Sequence, residues 1–314
     1  MLTKASKSAI IFHKTKVITT FCAINMSKLA IRSLSPQESR VVLASVERAE
    51  RELARQDIIA LLKTTPEAAD HVIRSLRKKG WLERASWGKY LLIPPDQGPE
   101  AIGESNVLAL ASLIADPYYI GYGTAATHYG FTTQHRNVVW LVTPQHLRDR
   151  RILNAEIKIV NPVTKKFFGY HVVNVLGFEI QMSDREKTAI DCVDRPNLAG
   201  GVGEAAYILA RASRKFDWEK ASGYLERMGS VALMRRAGWL FDYVGSDIPS
   251  EYREFLHHKA TTHRSTAVLG PKEPRQNAIG YQPEWKLTVN VSEREFAEAR
   301  GVGKLRSLPR KHSS

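Results

Sequence analysis

The feature that most restricts the fold is a strongly amphipathic helix that is followed at once by two short strands. Residues 64–67 (TTPE) combine hydroxyl caps, a proline and an acid, which together mark the start of a helix. Gly80 is placed to end that helix. Residues 81–84 and 89–93 then predict the two strands of a hairpin around a Ser-Trp-Gly turn.

Two further helices are predicted upstream, over residues 36–55 and 56–63. Ser35, Pro36 and Glu38 have the spacing of a capping box with proline at the first helical position. Three helices and a hairpin in this order are typical of a winged helix-turn-helix, a unit that binds DNA.

The third predicted helix has one apolar and one polar face. At about 100° per residue, Ala69, Val72, Ile73 and Leu76 form one stripe, and a basic face lies opposite. Such a face can enter the major groove, where arginine pairs with guanine, and Arg74 is the best candidate for that contact. The candidate DNA-binding residues are Thr64, Thr65, His71, Arg74, Ser75, Arg77, Lys78, Arg84, Trp87 and Lys89. The alternative is an ordinary solvated face, and the acidic Glu67 and Asp70 disfavour close phosphate approach.

Overall charge favours a polyanionic partner. Lysine and arginine number 46 against 32 acidic residues, a formal net charge of +14, and nucleic acid fits better than a membrane surface. Two cysteines, Cys22 and Cys192, exclude a disulfide scaffold and a zinc ribbon, so we expect a cytoplasmic protein with reduced thiols. We expect no membrane span, because no stretch reaches the roughly 18 uncharged apolar residues that a span needs. The second domain carries a candidate additional basic surface, formed by Arg148, Arg150, Arg151, Lys165 and Lys166. Three interpretations stay open: this surface extends the DNA footprint, it contacts an acidic face of the toxin, or it is ordinary solvent-exposed surface.

The predicted fold class is α+β, with an N-terminal winged helix-turn-helix followed by a mixed α/β domain. Residues 1–25 are expected to be disordered or to precede the true start at Met26, with a basic DNA-binding arm as the alternative. The winged helix spans 26–95, and the Pro- and Gly-rich run at 94–99 forms the boundary. The second domain spans 104–290, with a loop predicted at 265–281, and a basic tail covers 291–314.

Four sequence blocks in this order resemble the AbiEi family, the antitoxin-regulators of abortive-infection (type IV toxin–antitoxin) operons that act in viral defence. The first block is 79–84 (KGWLER) with 88–90 (GKY), and the second is 116–134 (DPYYIGYGTAATHYGFTTQ) followed by the predicted strand at 138–143. The third is 183–192 (SDREKTAIDC) continued by 194–196 (DRP) and 200–204 (GGVGE), and the fourth is 235–240 (RRAGWL). The resemblance implies a sequence-specific repressor that binds inverted repeats in the double-stranded DNA of its own promoter. It also implies an antitoxin whose second domain neutralises a cognate nucleotidyltransferase-like toxin, with direct contact left open.

Catalytic signatures are weak in this sequence. Asp184, Glu186, Asp191 and Asp194 do not form the two converging pairs of a two-metal site, and the glycines at 200–203 lack the lysine of a phosphate loop. We therefore predict no enzyme activity, no metal and no cofactor. Two alternatives stay open: a metal-dependent nuclease or nucleotidyltransferase that a winged helix targets, and a regulator that responds to a small ligand.

Overall fold

The structure is a computed structural model that describes residues 33–93, 104–134, 137–152, 155–175 and 177–299. Within these ranges the chain mixes helices and strands, as the predicted α+β class requires. The predicted segment 1–25, the break at 94–99 and residues 300–314 of the predicted tail lie outside the described residues. The start of the tail at residue 291 is wrong, because residues 291–299 complete the strand Leu287–Ser292 and form the helix Glu293–Ala299, whose Phe296 is buried in the core.

The elements of residues 33–93 form three helices and a three-stranded antiparallel sheet. In chain order they are α1 (Pro36–Glu47), β1 (Glu52–Ala54), α2 (Arg55–Leu62), α3 (Pro66–Lys78), β2 (Leu82–Ser86) and β3 (Lys89–Leu92). Strand β3 is central, and β1 and β2 pair with it on either side. The predicted capping box is present, because the Glu38 amide donates to Ser35 Oγ and the Ser35 amide donates to the Glu38 carboxylate.

The prediction of one helix over residues 36–55 is wrong. Helix α1 ends at Glu47, Ala49 adopts a left-handed φ of 54°, and the Glu50 amide donates to the Ser45 carbonyl at 3.0 Å. Residues 52–54 then form β1 because the backbone of β3 pairs with them, Glu52 standing opposite Leu91. A partner far along the chain therefore decides their conformation.

A six-stranded mixed sheet with two helices comes next in the chain. Its elements are α4 (Glu104–Ser112), β4 (Tyr119–Ile120), α5 (Tyr122–His128), β5 (Val138–Val142), β6 (Arg150–Ile152), β7 (Ala155–Val160), β8 (Tyr170–Val175) and β9 (Phe178–Ser183). The strand order is β6-β7-β5-β4-β9-β8, with parallel pairing of β5 to β7 and of β4 to β9.

A helical layer and a small sheet complete the described chain. These elements are α6 (Arg185–Asp194), α7 (Val202–Ala212), α8 (Trp218–Met228), α9 (Val231–Val244), α10 (Ser250–Thr262), β10 (Ala267–Leu269), β11 (Ala278–Gln282), β12 (Leu287–Ser292) and α11 (Glu293–Ala299). The loop predicted over 265–281 contains β10 and part of β11, because both strands pair with β12. Within the described ranges, no helix combines the length and the apolar character needed to cross a membrane.

The N-terminal hairpin packs against the six-stranded sheet region. Ala85, Leu91 and Ile93 belong to the same buried cluster as residues of α4, β5 and β9. Ser86 Oγ donates to the Leu113 carbonyl at 3.4 Å, and the Arg51 guanidinium lies 5.1 Å from the centroid of the Phe178 ring. One side of the hairpin is therefore covered by the second region of the chain.

Helix α9 holds several elements of the C-terminal layer together through the block at 235–240. Arg235 is 1% exposed and donates to the carbonyls of Ala260 and His263, next to the end of α10. Arg236 donates to the carbonyls of Asp194 and Val268, on α6 and β10. The arginines of this block are therefore structural, since their donors satisfy backbone acceptors of neighbouring elements.

Gly238 makes room for Trp285, which is 1% exposed. A Cβ at residue 238 would lie 2.1 Å from Trp285 Cζ3, a distance that a buried ring cannot relieve. We expect Gly238→Ala to lower the free energy of unfolding by about 2 kcal/mol or more. Gly223 in α8 has nothing within 4 Å of its Cβ position, so Gly223→Ala should raise stability by about 0.5–1 kcal/mol. Urea unfolding of both variants checks this, and an equal effect of the two would contradict the proposed packing.

Candidate nucleic-acid interface

Helix α3 buries one face and leaves the other open. Ala69, Val72, Ile73 and Leu76 lie in the N-terminal core, as the periodicity predicts. The side chains on the opposite face are exposed for Glu67, His71, Arg74, Arg77 and Lys78 and half-buried for Ser75. The structure therefore brings the predicted basic residues of α3 together on one accessible surface.

The start of α3 carries the predicted threonine cap. The Ala68 amide donates to Thr65 Oγ1 at 3.3 Å, so this oxygen already serves as an acceptor. The hydroxyl hydrogen of Thr65 remains available as a donor. Thr65 is exposed and Thr64 is half-buried, which leaves Thr65 the better placed of the two for a phosphate oxygen.

Asp70 forms an ion pair that reduces its electrostatic repulsion of a phosphate group at this surface. Arg55 Nε donates to Asp70 Oδ1 at 2.6 Å and Arg55 Nη2 donates to Oδ2 at 2.8 Å. The hydrogen bond and charge of Arg55 hold the pKa of Asp70 below its usual value. Because the two charges compensate each other, Asp70 opposes an incoming phosphate less than the sequence suggests.

Arg55, which is absent from the residues predicted from sequence, fixes the position of α3. Besides its two bonds to Asp70, its Nη2 donates to the Pro66 carbonyl at 3.4 Å, and its amide donates to the Gly88 carbonyl at 2.8 Å. It therefore joins the start of α2, the first turn of α3 and the hairpin turn. Nothing in the local sequence signals the pair, since Arg55 and Asp70 are 15 positions apart.

The other end of α3 is tied to α1. Lys79 Nζ donates to both carboxylate oxygens of Glu38, at 3.0 and 2.7 Å, and the Glu38 side chain is only 3% exposed. Burial alone would raise the pKa of Glu38, but the hydrogen bonds from Lys79 and the Ser35 amide lower it to about 2. The ionised carboxylate is therefore the form that the folded protein stabilises.

Glu38 makes stability depend on pH. Its pKa falls from 4.5 to about 2 on folding, so its contribution is complete above pH 4.5 and is lost as the pH falls through 2. We expect a loss of about 3 kcal/mol across this window. The free energy of unfolding of the wild type and of Glu38→Gln is measured with urea from pH 6 to pH 2. The difference between the two pH profiles is the contribution of Glu38. The exposed Glu47, on the same helix, provides the control Glu47→Gln, and an identical pH profile for the two variants would contradict this assignment.

The hairpin turn presents an exposed aromatic ring between two cations. Trp87 is 87% exposed, and the side chains of Arg84 and Lys89 are exposed beside it in sequence. Arg84 Nε donates to the Ser86 carbonyl at 3.2 Å, which holds the guanidinium along the strand. Gly88 has a φ of +74°, a conformation that glycine adopts without strain. The tip of the hairpin thus combines charge with an apolar surface.

The additional basic residues lie in the second region and differ in their environment. Arg150 and Arg151 begin β6, the edge strand of the six-stranded sheet. Arg148, Arg151 and Lys165 are exposed, and Arg150 is half-buried. Lys166 Nζ, in contrast, donates to Asp194 at 2.5 Å, so its charge is compensated within the chain.

The carboxylates considered as metal ligands all have partners. Asp184 caps α6 and accepts from the Tyr224 hydroxyl at 2.7 Å, and Glu186 accepts from Lys220 at 2.9 Å. Asp191 accepts from Lys187 at 2.5 Å, and Asp194 pairs with Lys166 as described above. Across the described part of the chain, no group of three His, Cys, Asp or Glu residues is arranged to hold a metal ion.

Comparison with known proteins gives a likeness in structure. No protein-family model and no curated protein matches the chain. The crystal structure of the RV2827C protein from Mycobacterium tuberculosis matches with a TM-score of 0.63 at 17% identity, over 87% of this chain and 97% of that one. The two chains share a fold. At this identity the likeness concerns architecture alone.

Proposed function

We propose that this protein is a sequence-specific DNA-binding repressor. The order α1, β1, α2, α3, β2, β3 with β3 at the centre of the sheet is typical of a winged helix-turn-helix, in which the helix before the hairpin reads the major groove. The observation that carries the proposal is the exposed face of α3, which holds His71, Arg74, Arg77 and Lys78 opposite a buried apolar stripe.

In this proposal α3 supplies the sequence readout. Arg74 and Lys78 are one helical turn apart, so both side chains point into the groove when α3 lies along it. An arginine there donates two bonds to guanine, and a lysine contacts a base edge or a phosphate. Thr65, at the start of the helix, donates its hydroxyl hydrogen to a phosphate oxygen.

The hairpin supplies a second contact with the duplex. Trp87 places its ring against the sugars of the minor groove or the backbone, while Arg84 and Lys89 approach phosphates. The ion pairs Arg55–Asp70 and Lys79–Glu38 support this arrangement, because they hold α3 at both of its ends. A recognition helix fixed in this way loses little freedom on binding.

We further propose that the protein neutralises a toxin. This part rests on the resemblance of its sequence blocks to the AbiEi family, in which the cognate toxin is a nucleotidyltransferase-like enzyme. The alternative of a metal-dependent nuclease has less support, because the carboxylates of α6 are engaged by lysines and hydroxyls.

One strain tests both parts. A reporter fused to the DNA upstream of the gene should be repressed by the wild-type protein and released by Arg74→Ala/Lys78→Ala. The same double variant should still permit growth when the cognate nucleotidyltransferase-like toxin is induced, because the proposal assigns neutralisation to the second domain and not to the exposed face of α3. Repression that survives the double substitution would contradict the first part, and a toxin that still kills in the presence of wild-type protein would contradict the second.

A further inference from the structure

Helix α1 exposes two large apolar side chains on its outer face. Leu43 is 57% exposed and Val46 is 58% exposed, and residues three positions apart are neighbours on a helix surface. The opposite side of α1 is buried in the N-terminal core through Val41 and Val42. Single scattered apolar residues are ordinary at a protein surface, but these two are contiguous, and we call them the α1 patch.

Two opposite charges flank the α1 patch along one side of the helix. Arg40 and Glu47 are both exposed. They are seven positions apart, so at about 100° per residue they lie within about 20° of each other around the helix axis. Arg40 Nη2 donates to the Leu61 carbonyl at 3.4 Å, which leaves the other guanidinium nitrogens for a carboxylate. The outer face of α1 is therefore basic near its start and acidic near its end.

This order of charges makes the outer face of α1 complementary to itself. When a second α1 runs antiparallel to the first, each Arg40 meets the Glu47 of the other copy, and the two α1 patches meet between them. In heptad notation, Leu43 and Val46 take core positions a and d, while the two charged residues take position e, where charge sets partner and orientation. A partner surface of one charge sign would leave either the arginine or the glutamate unmatched.

We propose that the outer face of α1 binds the same face of a second copy of this chain, with the two helices antiparallel about a two-fold axis. Such an isologous contact closes with two copies. Helix α1 has 12 residues and is about 18 Å long. A contact confined to this helix is small, so the dimer forms only as the protein concentration rises.

This contact leaves the exposed face of α3 open. Helix α3 lies on the buried side of α1, where Lys79 pairs with Glu38, so the second copy lies across α1 from α3. Two copies of α3 related by a two-fold axis suit an inverted repeat in DNA. That consequence rests on the proposed function, whereas the dimer itself does not, and its assembly is measured without DNA.

Sedimentation velocity of the full chain, from roughly 1 to 200 µM protein, tests this proposal in the concentration range of a weak contact. The wild type should pass from monomer to dimer and form no larger species. Arg40→Glu and Glu47→Arg should each weaken self-association by about tenfold or more, since each places like charges opposite one another at both ends of the contact. A wild type that stays monomeric throughout, as it would if another segment of the chain covered the α1 patch, would overturn the proposal.

An equimolar mixture of Arg40→Glu and Glu47→Arg distinguishes self-complementary pairing from a simple charge effect. In the mixed dimer the two substituted side chains meet with opposite charges, and so do the two native ones, so mixing should restore the dimer. Arg48→Glu changes the net charge as much as Arg40→Glu, but residue 48 is exposed about 160° from Val46 around the helix, so this variant should dimerise as the wild type does. Mixed chains that stay monomeric, or an equal loss in Arg48→Glu, would overturn the proposal.

Discussion

Replacing Lys187 by methionine is expected to lower the free energy of unfolding by about 3–5 kcal/mol. The Lys187 side chain is 0% exposed, and its Nζ donates to both carboxylate oxygens of Asp191 at 2.5 Å and to the Tyr119 hydroxyl at 3.3 Å. The ammonium group also lies 5.0 Å from the centroid of the Phe168 ring. Methionine keeps the volume of the side chain but leaves the Asp191 carboxylate buried without its cation.

A second substitution separates the loss of a charge partner from a general loss of packing. Burial raises the pKa of Asp191, and the charge of Lys187 opposes that shift. Removing both charges in Lys187→Met/Asp191→Leu should therefore recover most of the stability that Lys187→Met loses. Urea unfolding of the single and double variants measures this. A single variant within 1 kcal/mol of the wild type would show that the pair is not buried as described.

The double substitution Arg74→Ala/Lys78→Ala is expected to reduce affinity for the upstream DNA by about 100-fold. A base contact of this kind contributes about 1–3 kcal/mol, and about 1.4 kcal/mol corresponds to a factor of ten. Both side chains are exposed, so the fold should tolerate their removal. Fluorescence anisotropy titrations between 50 and 200 mM KCl provide the measurement, and each lost phosphate contact should reduce the salt slope by about 0.9.

A matched control separates the α3 face from overall charge. Arg264 and Lys272 are exposed in the C-terminal layer, and Arg264→Ala/Lys272→Ala removes the same formal charge. This control should change affinity no more than about twofold, since Coulombic attraction over more than about 10 Å is screened at this ionic strength. Equal losses in the two double variants would mean that net charge, rather than the face of α3, determines binding.

Local signals were enough to predict the elements that present the candidate interface. The caps and the four apolar positions of α3 specify both its limits and its buried side, and glycine marks the turn of the hairpin. The short strand Glu52–Ala54 could not be predicted in this way, because three residues carry no periodicity and pairing with β3 decides their conformation. The same reason applies to β10, whose partner β12 lies in a later part of the chain.

The sequence predicts ion pairs less well than it predicts helices and strands. Lys187 and Asp191 have the spacing of a surface salt bridge on a helix, yet packing against Tyr119 and Phe168 buries the pair completely. The pair Arg55–Asp70 joins two helices and has no sequence signature at all. Burial and long-range pairing arise from the tertiary arrangement, and a single sequence does not display them.

Site-specific photocrosslinking tests most directly whether the outer face of α3 enters the groove of a duplex. A benzophenone side chain is introduced by His71→p-benzoylphenylalanine on α3 and by Tyr281→p-benzoylphenylalanine on β11, where the native tyrosine is 52% exposed. Irradiation with the upstream DNA should attach the duplex to residue 71 and not to residue 281. Crosslinks at residue 281 with none at residue 71 would contradict the account.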